Sequence, residues 1–251
     1  MSTRAADRAA LSAGKRALLE KMMAGKVPAS RPSGIPRRVD QGPAPLSFAQ
    51  QRLWFIHQID PSSPAYNVPC ALRLWGALDR PRLERCLDEL LRRHDSLRTS
   101  FETWSEGPVQ IVEADARLDL TWTDLKPLDP EAREAEVRRL AAAEAALPFD
   151  LTRAPLMRVR VHRLAPDDHL FLLTLHHIVS DGWSMGVLVR EIATLYEAFG
   201  AGGPSPLPSL PIQYADFAVW QRDRLQGERL ERELAYWKER LTPLPAALEL
   251  P

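Results

Sequence analysis

The chain has 251 residues, enough for one large α/β domain or two small ones. Hydrophobic residues make up 45% and charged residues 26%, a composition that supports a packed core and argues against wholesale disorder. Thirty-three basic residues balance 33 acidic ones, so no global field is available to hold nucleic acid or an anionic membrane. Cys70 and Cys86 lack metal-ligand spacing, and Cys86 falls on the apolar stripe of an expected helix, as a small buried hydrophobe does. The first residues, MSTRAADRAALSAGKRALLEK, contain neither a continuous apolar stretch nor a cleavage site, and no run reaches the length of a membrane span. A soluble, cytoplasmic protein is the expectation.

In chain order, residues 1–26 read as a short helical extension with Leu11, Leu18, Leu19, Met22 and Met23 as its apolar stripe. Residues 27–45, rich in proline, glycine, serine and arginine, read as a linker. Ser47 is placed to cap a helix over Phe48 to Ile59, stopped by Asp60-Pro61. Phe48, Leu53, Trp54 and Phe55 are expected as core residues of that helix. Val68 to Trp75 reads as a strand ended by Gly76. Asp79 caps the next helix, where Leu83, Leu87, Leu90, Leu91 and His94 recur at helical spacing. A hairpin is expected around Glu106-Gly107, a short strand near Leu118 to Thr123, and a helix from Asp129-Pro130 to about Leu147.

Two strands frame the centre. In Leu156 to Leu164, Met157, Val159 and Val161 alternate with Arg158, Arg160 and His162, the pattern of a strand with one face in the core. His169 to His176 reads HLFLLTLH, a nearly unbroken apolar run that suits a strand buried on both faces in the sheet interior. A helix with Leu188, Val189, Ile192, Leu195, Tyr196 and Phe199 on its buried side follows. After a proline-rich stretch come two terminal helices, over Tyr214 to Arg224 and Arg229 to Leu241.

Between the buried strand and its helix lies HHIVSDG, His176 to Gly182. Successive strand side chains point to opposite faces, so only one of the two histidines can face a cleft. An imidazole titrates near neutrality and can help an amine lose its proton as it attacks a carbonyl. Asp181 is either a second catalytic group or a carboxylate tied to an arginine that shapes the loop; the structural role is favoured. Gly182 is expected to give the backbone freedom for a tight exit into the helix. The spacing offers no convincing set of three metal ligands.

HHIVSDG matches HHxxxDG, the signature of a superfamily that includes chloramphenicol acetyltransferase, dihydrolipoyl acyltransferases and the condensation domains of nonribosomal peptide synthetases. Three more stretches resemble the condensation domains specifically: LSFAQQRLWFIHQIDPSSPAYNVP from Leu46, RHDSLRTSF from Arg93, and YADFAVWQ from Tyr214. The four occur in the family's order. This resemblance implies a two-layer, chloramphenicol-acetyltransferase-like α/β sandwich with a mostly antiparallel sheet. Residues 46–251 would be the N-terminal lobe of a two-lobe domain, since later motifs of the type IGxFVNT and QxYPFE do not occur in the sequence.

The same resemblance implies amide-bond formation between a donor acyl or peptidyl thioester and an acceptor aminoacyl thioester. Both are delivered on the phosphopantetheine arms of carrier proteins, and the lobe itself holds no cofactor or metal. His177 would be the catalytic residue, as base or as positioner of the amine. His176, Asp181, Gly182 and Arg98 would shape the site, with Arg98 the expected partner of Asp181. Implied partners are the donor and acceptor carriers, a second lobe and an adenylation domain downstream. The shared signature also leaves open a coenzyme A-dependent acyltransferase, an epimerase-like relative, and a catalytically idle carrier-docking fragment.

Overall fold

Local capping decides where the helices begin. In the computed structural model, which describes residues 34–242, Ser47 closes a reciprocal capping box with Gln50 at the start of α1 (Phe48–Ile59). Asp79 accepts from the Arg82 N–H ahead of α2 (Arg80–Arg93), and Asp129 accepts from the Ala132 N–H ahead of α3 (Pro130–Ala146). Each of those two helices carries a proline in its first turn, where no hydrogen bond is lost. The helix expected over residues 1–26 lies outside the described residues.

The strands form two sheets. β1 (Ala44–Pro45), β4 (Gly107–Val112) and β3 (Thr99–Trp104) make an antiparallel sheet in the order β1-β4-β3. The hairpin joining β3 and β4 turns through Gly107 at a φ of 122°, where a side chain would be strained. The larger sheet runs β2-β7-β6-β5, from β2 (Asn67–Trp75), β7 (Asp168–His176), β6 (Met157–Ala165) and β5 (Asp119–Asp124). Its pairs are antiparallel except β5 with β6. As its apolar run implied, β7 is interior and buried along its whole length.

Pairing fixes which side chains share a face. Val159 and Val161 of β6 and Phe171, Leu173 and Leu175 of β7 pack with Leu83, Leu87 and Leu90 of α2 and with Leu188 and Leu195 of α4 (Gly182–Gly200). On the opposite face, Leu170 and Leu172 meet Val137, Leu140 and Ala141 of α3. The alternation along β6 suggested a single buried face; both are covered. Arg158 is buried because its guanidinium binds Glu144 of α3 at 2.7 Å and the Leu147 carbonyl at 2.7 Å. Arg160 reaches the second Glu144 oxygen at 3.2 Å. A helix supplying a carboxylate is what allows an arginine-bearing face to be covered.

A third cluster joins α1 to the end of the larger sheet: Leu46, Leu53, Trp54, Phe101, Phe149, Leu151, Leu156 and Ile178. Within α1, Leu53 and Trp54 are buried as expected, but Phe55 is 65% exposed and Phe48 lies at the surface. The helix buries a narrower stripe than its apolar content suggested. Residues 37–45, read from composition as linker, are tied down: Arg37 donates to the carbonyls of Leu210 and Pro211, and the Arg38 N–H donates to Asp216 at 3.0 Å. The last helices are α5 (Tyr214–Arg224) and α6 (Gly227–Leu241). Among the described residues no helix is long and apolar enough to cross a membrane.

Candidate active site

β7 ends at His176, and the chain turns at once into α4, so the whole HHIVSDG segment is built at the junction of a buried strand and a helix N-terminus. His176 is 5% exposed. Its ring meets Phe149 edge-on at 6.1 Å and Tyr66 at 6.4 Å, and its Nδ1 accepts the Ile178 N–H at 3.1 Å. An imidazole that accepts at Nδ1 is neutral and carries its one proton on Nε2. Burial, joined by the charges of His57 and His177, pushes its pKa down to about 4. His176 is therefore a fixed, uncharged element of the turn.

His177 has the opposite environment. Its side chain is exposed, while its backbone N–H donates to the Tyr66 carbonyl at 2.8 Å. The Val179 N–H and the Ser180 hydroxyl both donate to the His176 carbonyl, each at 3.1 Å. Backbone and neutral side chains thus hold the turn and leave the His177 imidazole available.

Asp181 does not pair with an arginine among the described residues. It is the N-cap of α4: its carboxylate accepts the Ser184 N–H at 2.8 Å and the Ser184 hydroxyl at 2.6 Å. Those bonds hold its carboxyl below the usual carboxylate range. Arg98 lies elsewhere, bound to Asp95 at 2.5 Å and to the carbonyls of Leu91 and Glu113. It is held there because the 3₁₀ turn over Asp95–Arg98 places Asp95 three residues away, well within reach. Gly182 also differs from expectation. It has no left-handed backbone conformation, and a Cβ built on it would meet nothing within 4 Å. The Asp181 cap and the turn before it make the exit, so glycine leaves open space beside the site instead of supplying backbone freedom.

The arginine of this segment that is tied to α4 is Arg93. Its guanidinium binds Glu191 of α4 at 3.0 Å, and His94 binds the other Glu191 oxygen at 2.6 Å. All three side chains are at least four-fifths buried. Gln213, capping α5, donates to the Arg93 carbonyl and accepts from the Asp95 N–H. Reading the sequence missed Glu191 because it sits on a helix with no local signal for a buried carboxylate. Within RHDSLR it is Arg93 that binds α4, whereas Arg98, expected to pair with Asp181, binds Asp95.

The opening and third motif segments also meet. The Ser47 hydroxyl lies 3.1 Å from the Tyr214 hydroxyl, the Phe48 N–H donates to Gln221 at 3.0 Å, and Arg222 donates to the Leu46 carbonyl at 2.7 Å. The Arg222 guanidinium covers the Phe48 ring at 4.1 Å.

Comparison with known proteins agrees with this geometry. The family model of the Condensation domain matches residues 40–251. A chondramide synthase of Chondromyces crocatus is 49% identical over 207 residues, covering 82% of this chain and 5% of that protein. A phosphinothricin tripeptide synthetase of Streptomyces viridochromogenes is 45% identical over 245 residues, covering 97% of this chain and 22% of that protein. Among solved structures, the first condensation domain of the calcium-dependent antibiotic synthetase, in complex with a substrate analogue, superposes with a TM-score of 0.72 at 28% identity. That match covers 82% of this chain and 49% of the other. The starter condensation domain of rhizomide synthetase, at 22% identity and a TM-score of 0.73, shares the fold over 81% of this chain and 49% of its own. The chain thus spans about half the length of the solved condensation domains and a small part of each curated synthetase. Profile, sequence relatives and fold agree that this chain belongs to the condensation-domain family of the nonribosomal peptide synthetases.

Proposed function

We propose that the chain provides the histidine-bearing part of a site that forms peptide bonds between carrier-bound substrates, with His177 as the group that receives or orients the acceptor amine. The observation that carries this reading is the asymmetry of the histidine pair. One imidazole is locked neutral at the end of a buried strand, and the other stands exposed in the turn just past it.

In this reaction the acceptor amine attacks the thioester carbonyl of the donor, the C–N bond forms and the C–S bond breaks. The proton lost by the amine passes to His177 or is guided by it toward the departing sulfur, so one amide and one thiol replace one thioester and one amine. The substrates arrive on phosphopantetheine arms of donor and acceptor carrier proteins. Asp181, Ser184 and the Arg93–Glu191–His94 cluster keep the His177 turn in register with α4. Gly182 leaves room beside it. The second wall of the cleft is supplied by the remainder of a complete condensation domain, and an adenylation domain loads the acceptor carrier.

Positioning two thioester arms can account for about 7–11 kcal/mol of a barrier, so an incomplete cleft loses most of its rate. The test loads donor and acceptor carriers and follows the dipeptidyl carrier by mass spectrometry. The chain is assayed alone, then with the other half of a condensation domain supplied in trans or fused. Product is expected only with the second half present, and none with His177→Ala. Equal turnover by the chain alone would favour a coenzyme A-type acyltransferase, checked by replacing the donor carrier with an acyl-coenzyme A.

A further inference from the structure

Asn67 lies far from HHIVSDG in the chain, yet its side chain joins two segments that bear on the histidine turn. It is the first residue of β2 and stands opposite His176 in the sheet. One rung farther out, just past the ends of both strands, the Tyr66 carbonyl accepts the His177 N–H at 2.8 Å. Terminal rungs are where local opening begins, and this one carries the exposed histidine. The Asn67 side-chain nitrogen reaches the end of α3, donating to the carbonyls of Ala145 and Leu147 at 2.8 Å each. Carbonyls at a helix C-terminus have no partner within the helix, and one amide nitrogen with two hydrogens can serve two of them. The Asn67 Oδ1 is buried without a partner among the described residues, so the side chain acts here through its two donors.

Arg158 fastens the same place from β6. It donates to the Leu147 carbonyl at 2.7 Å and to the Pro148 carbonyl at 3.2 Å, and its guanidinium covers the Phe149 ring at 3.7 Å. Phe149 in turn meets His176 edge-on. Tyr66 and Phe149 therefore both touch the histidine pair, and Asn67 is the hydrogen-bonded tie between the segments that carry them. We propose that Asn67 is a positioning residue of the His177 site: by tying the start of β2 to the end of α3 it keeps the outermost rung closed and the His177 imidazole aimed. A bonded backbone fixes where the His177 Cβ points. When the rung opens, the residue swings with the turn and the imidazole loses its alignment with the acceptor amine. That loss falls on the rate of the bound complex and not on substrate affinity.

The catalytic consequence rests on the proposed condensation reaction; closure of the rung does not, and it is measured without activity. In the chain isotope-labelled at histidine, NMR follows hydrogen exchange of the His177 N–H beside those of His162 and His169, which lie within β6 and β7. Asn67→Leu keeps the side-chain shape and removes both donors. It should speed exchange at His177 about tenfold, the scale of one hydrogen bond, and leave His162 and His169 unchanged. Asn67→Ala, which adds no apolar bulk between β2 and α3, should do the same and decides the matter if the leucine variant fails to fold. Unchanged exchange at His177 overturns the proposal, and so does equal acceleration at all three histidines, which would mean general destabilisation. In the complete condensation domain, assayed well below its melting temperature, kcat should fall about tenfold in Asn67→Leu, with the KM for the acceptor carrier unchanged. A normal kcat beside accelerated exchange would show a merely structural residue and overturns the positioning role. Absence of turnover by the complete wild-type domain would instead count against the condensation reading, and the exchange rates would then decide whether Asn67 holds the rung.

Discussion

The two faces of the larger sheet are built on different principles. Toward α2 and α4, β6 and β7 present Val159, Val161, Phe171, Leu173 and Leu175, and the helices answer with leucines. Toward α3 the same two strands mix Leu170 and Leu172 with Arg158, Arg160, His162, Thr174 and His176, and of these the two arginines are matched by Glu144 and, for Arg158, by backbone carbonyls at the end of α3. The apolar face gains its energy from area and tolerates small shifts. The mixed face adds to its leucines the directed bonds of Arg158 and Arg160 to Glu144, which are made in one arrangement only. The histidine that supports the active-site turn is on the second face. Stability and placement are thereby divided between the two sides of one sheet.

Five measurements would sharpen or break this contrast, beginning with the largest effect. His177→Ala, in a complete domain, should lower condensation about 10²- to 10⁴-fold, the usual contribution of a general acid–base group, with an unchanged melting temperature because the side chain is exposed. Glu144→Ala leaves Arg158 buried without its carboxylate and should cost about 3–5 kcal/mol in a denaturant titration. Leu173→Ala on the apolar face should cost about 2–5 kcal/mol by cavity formation, without altering the pH dependence of stability. If Glu144→Ala proved nearly silent, the mixed face would not be held as argued.

The pH dependence comes next in size. His176 titrates at about 4 in the folded chain against an ordinary 6.5, so between those values the unfolded chain binds the extra proton. Stability should fall as pH drops through that window, by roughly 3 kcal/mol in full, and then level off as far as this residue is concerned. His176→Phe should flatten that part of the curve; an unaltered curve would show that His176 is not buried neutral. The smallest effect concerns the helix cap. Asp181→Ala should cost about 1 kcal/mol, while Asp181→Asn, which can still accept from the Ser184 N–H, should cost less.

Much of this could be read from the sequence because its causes are local or periodic. Capping residues at Ser47, Asp79 and Asp129, the unbroken apolar run of β7, and the hairpin at Gly107 are decided by neighbours within a few residues. That only one of the two histidines would face outward could be argued from the reversal of side-chain direction along a strand, although His177 itself lies in the turn just past β7. The rest depends on what is packed across from a residue, which no local pattern reports. That β6 would be covered on its arginine face required knowing that Glu144 lies opposite it. That Asp181 would bond to Ser184 and Arg98 to Asp95 was settled by partners three residues away, nearer than the long-range pair expected. Glu191 sits on a helix placed for other reasons and gains its partners Arg93 and His94 from tertiary proximity.

The bonds between the first and third motif segments bear on how such proteins can be recombined. Ser47, Phe48 and Leu46 at one end of the chain are gripped by Tyr214, Gln221 and Arg222 more than 160 residues later. A chimera spliced anywhere between Asp60 and Leu210 would seat the α1 of one parent on the α5 of another, whatever the similarity at the splice point. Domain shuffling in this family should therefore succeed more often when both segments come from the same parent, or when those six positions are restored together after the exchange.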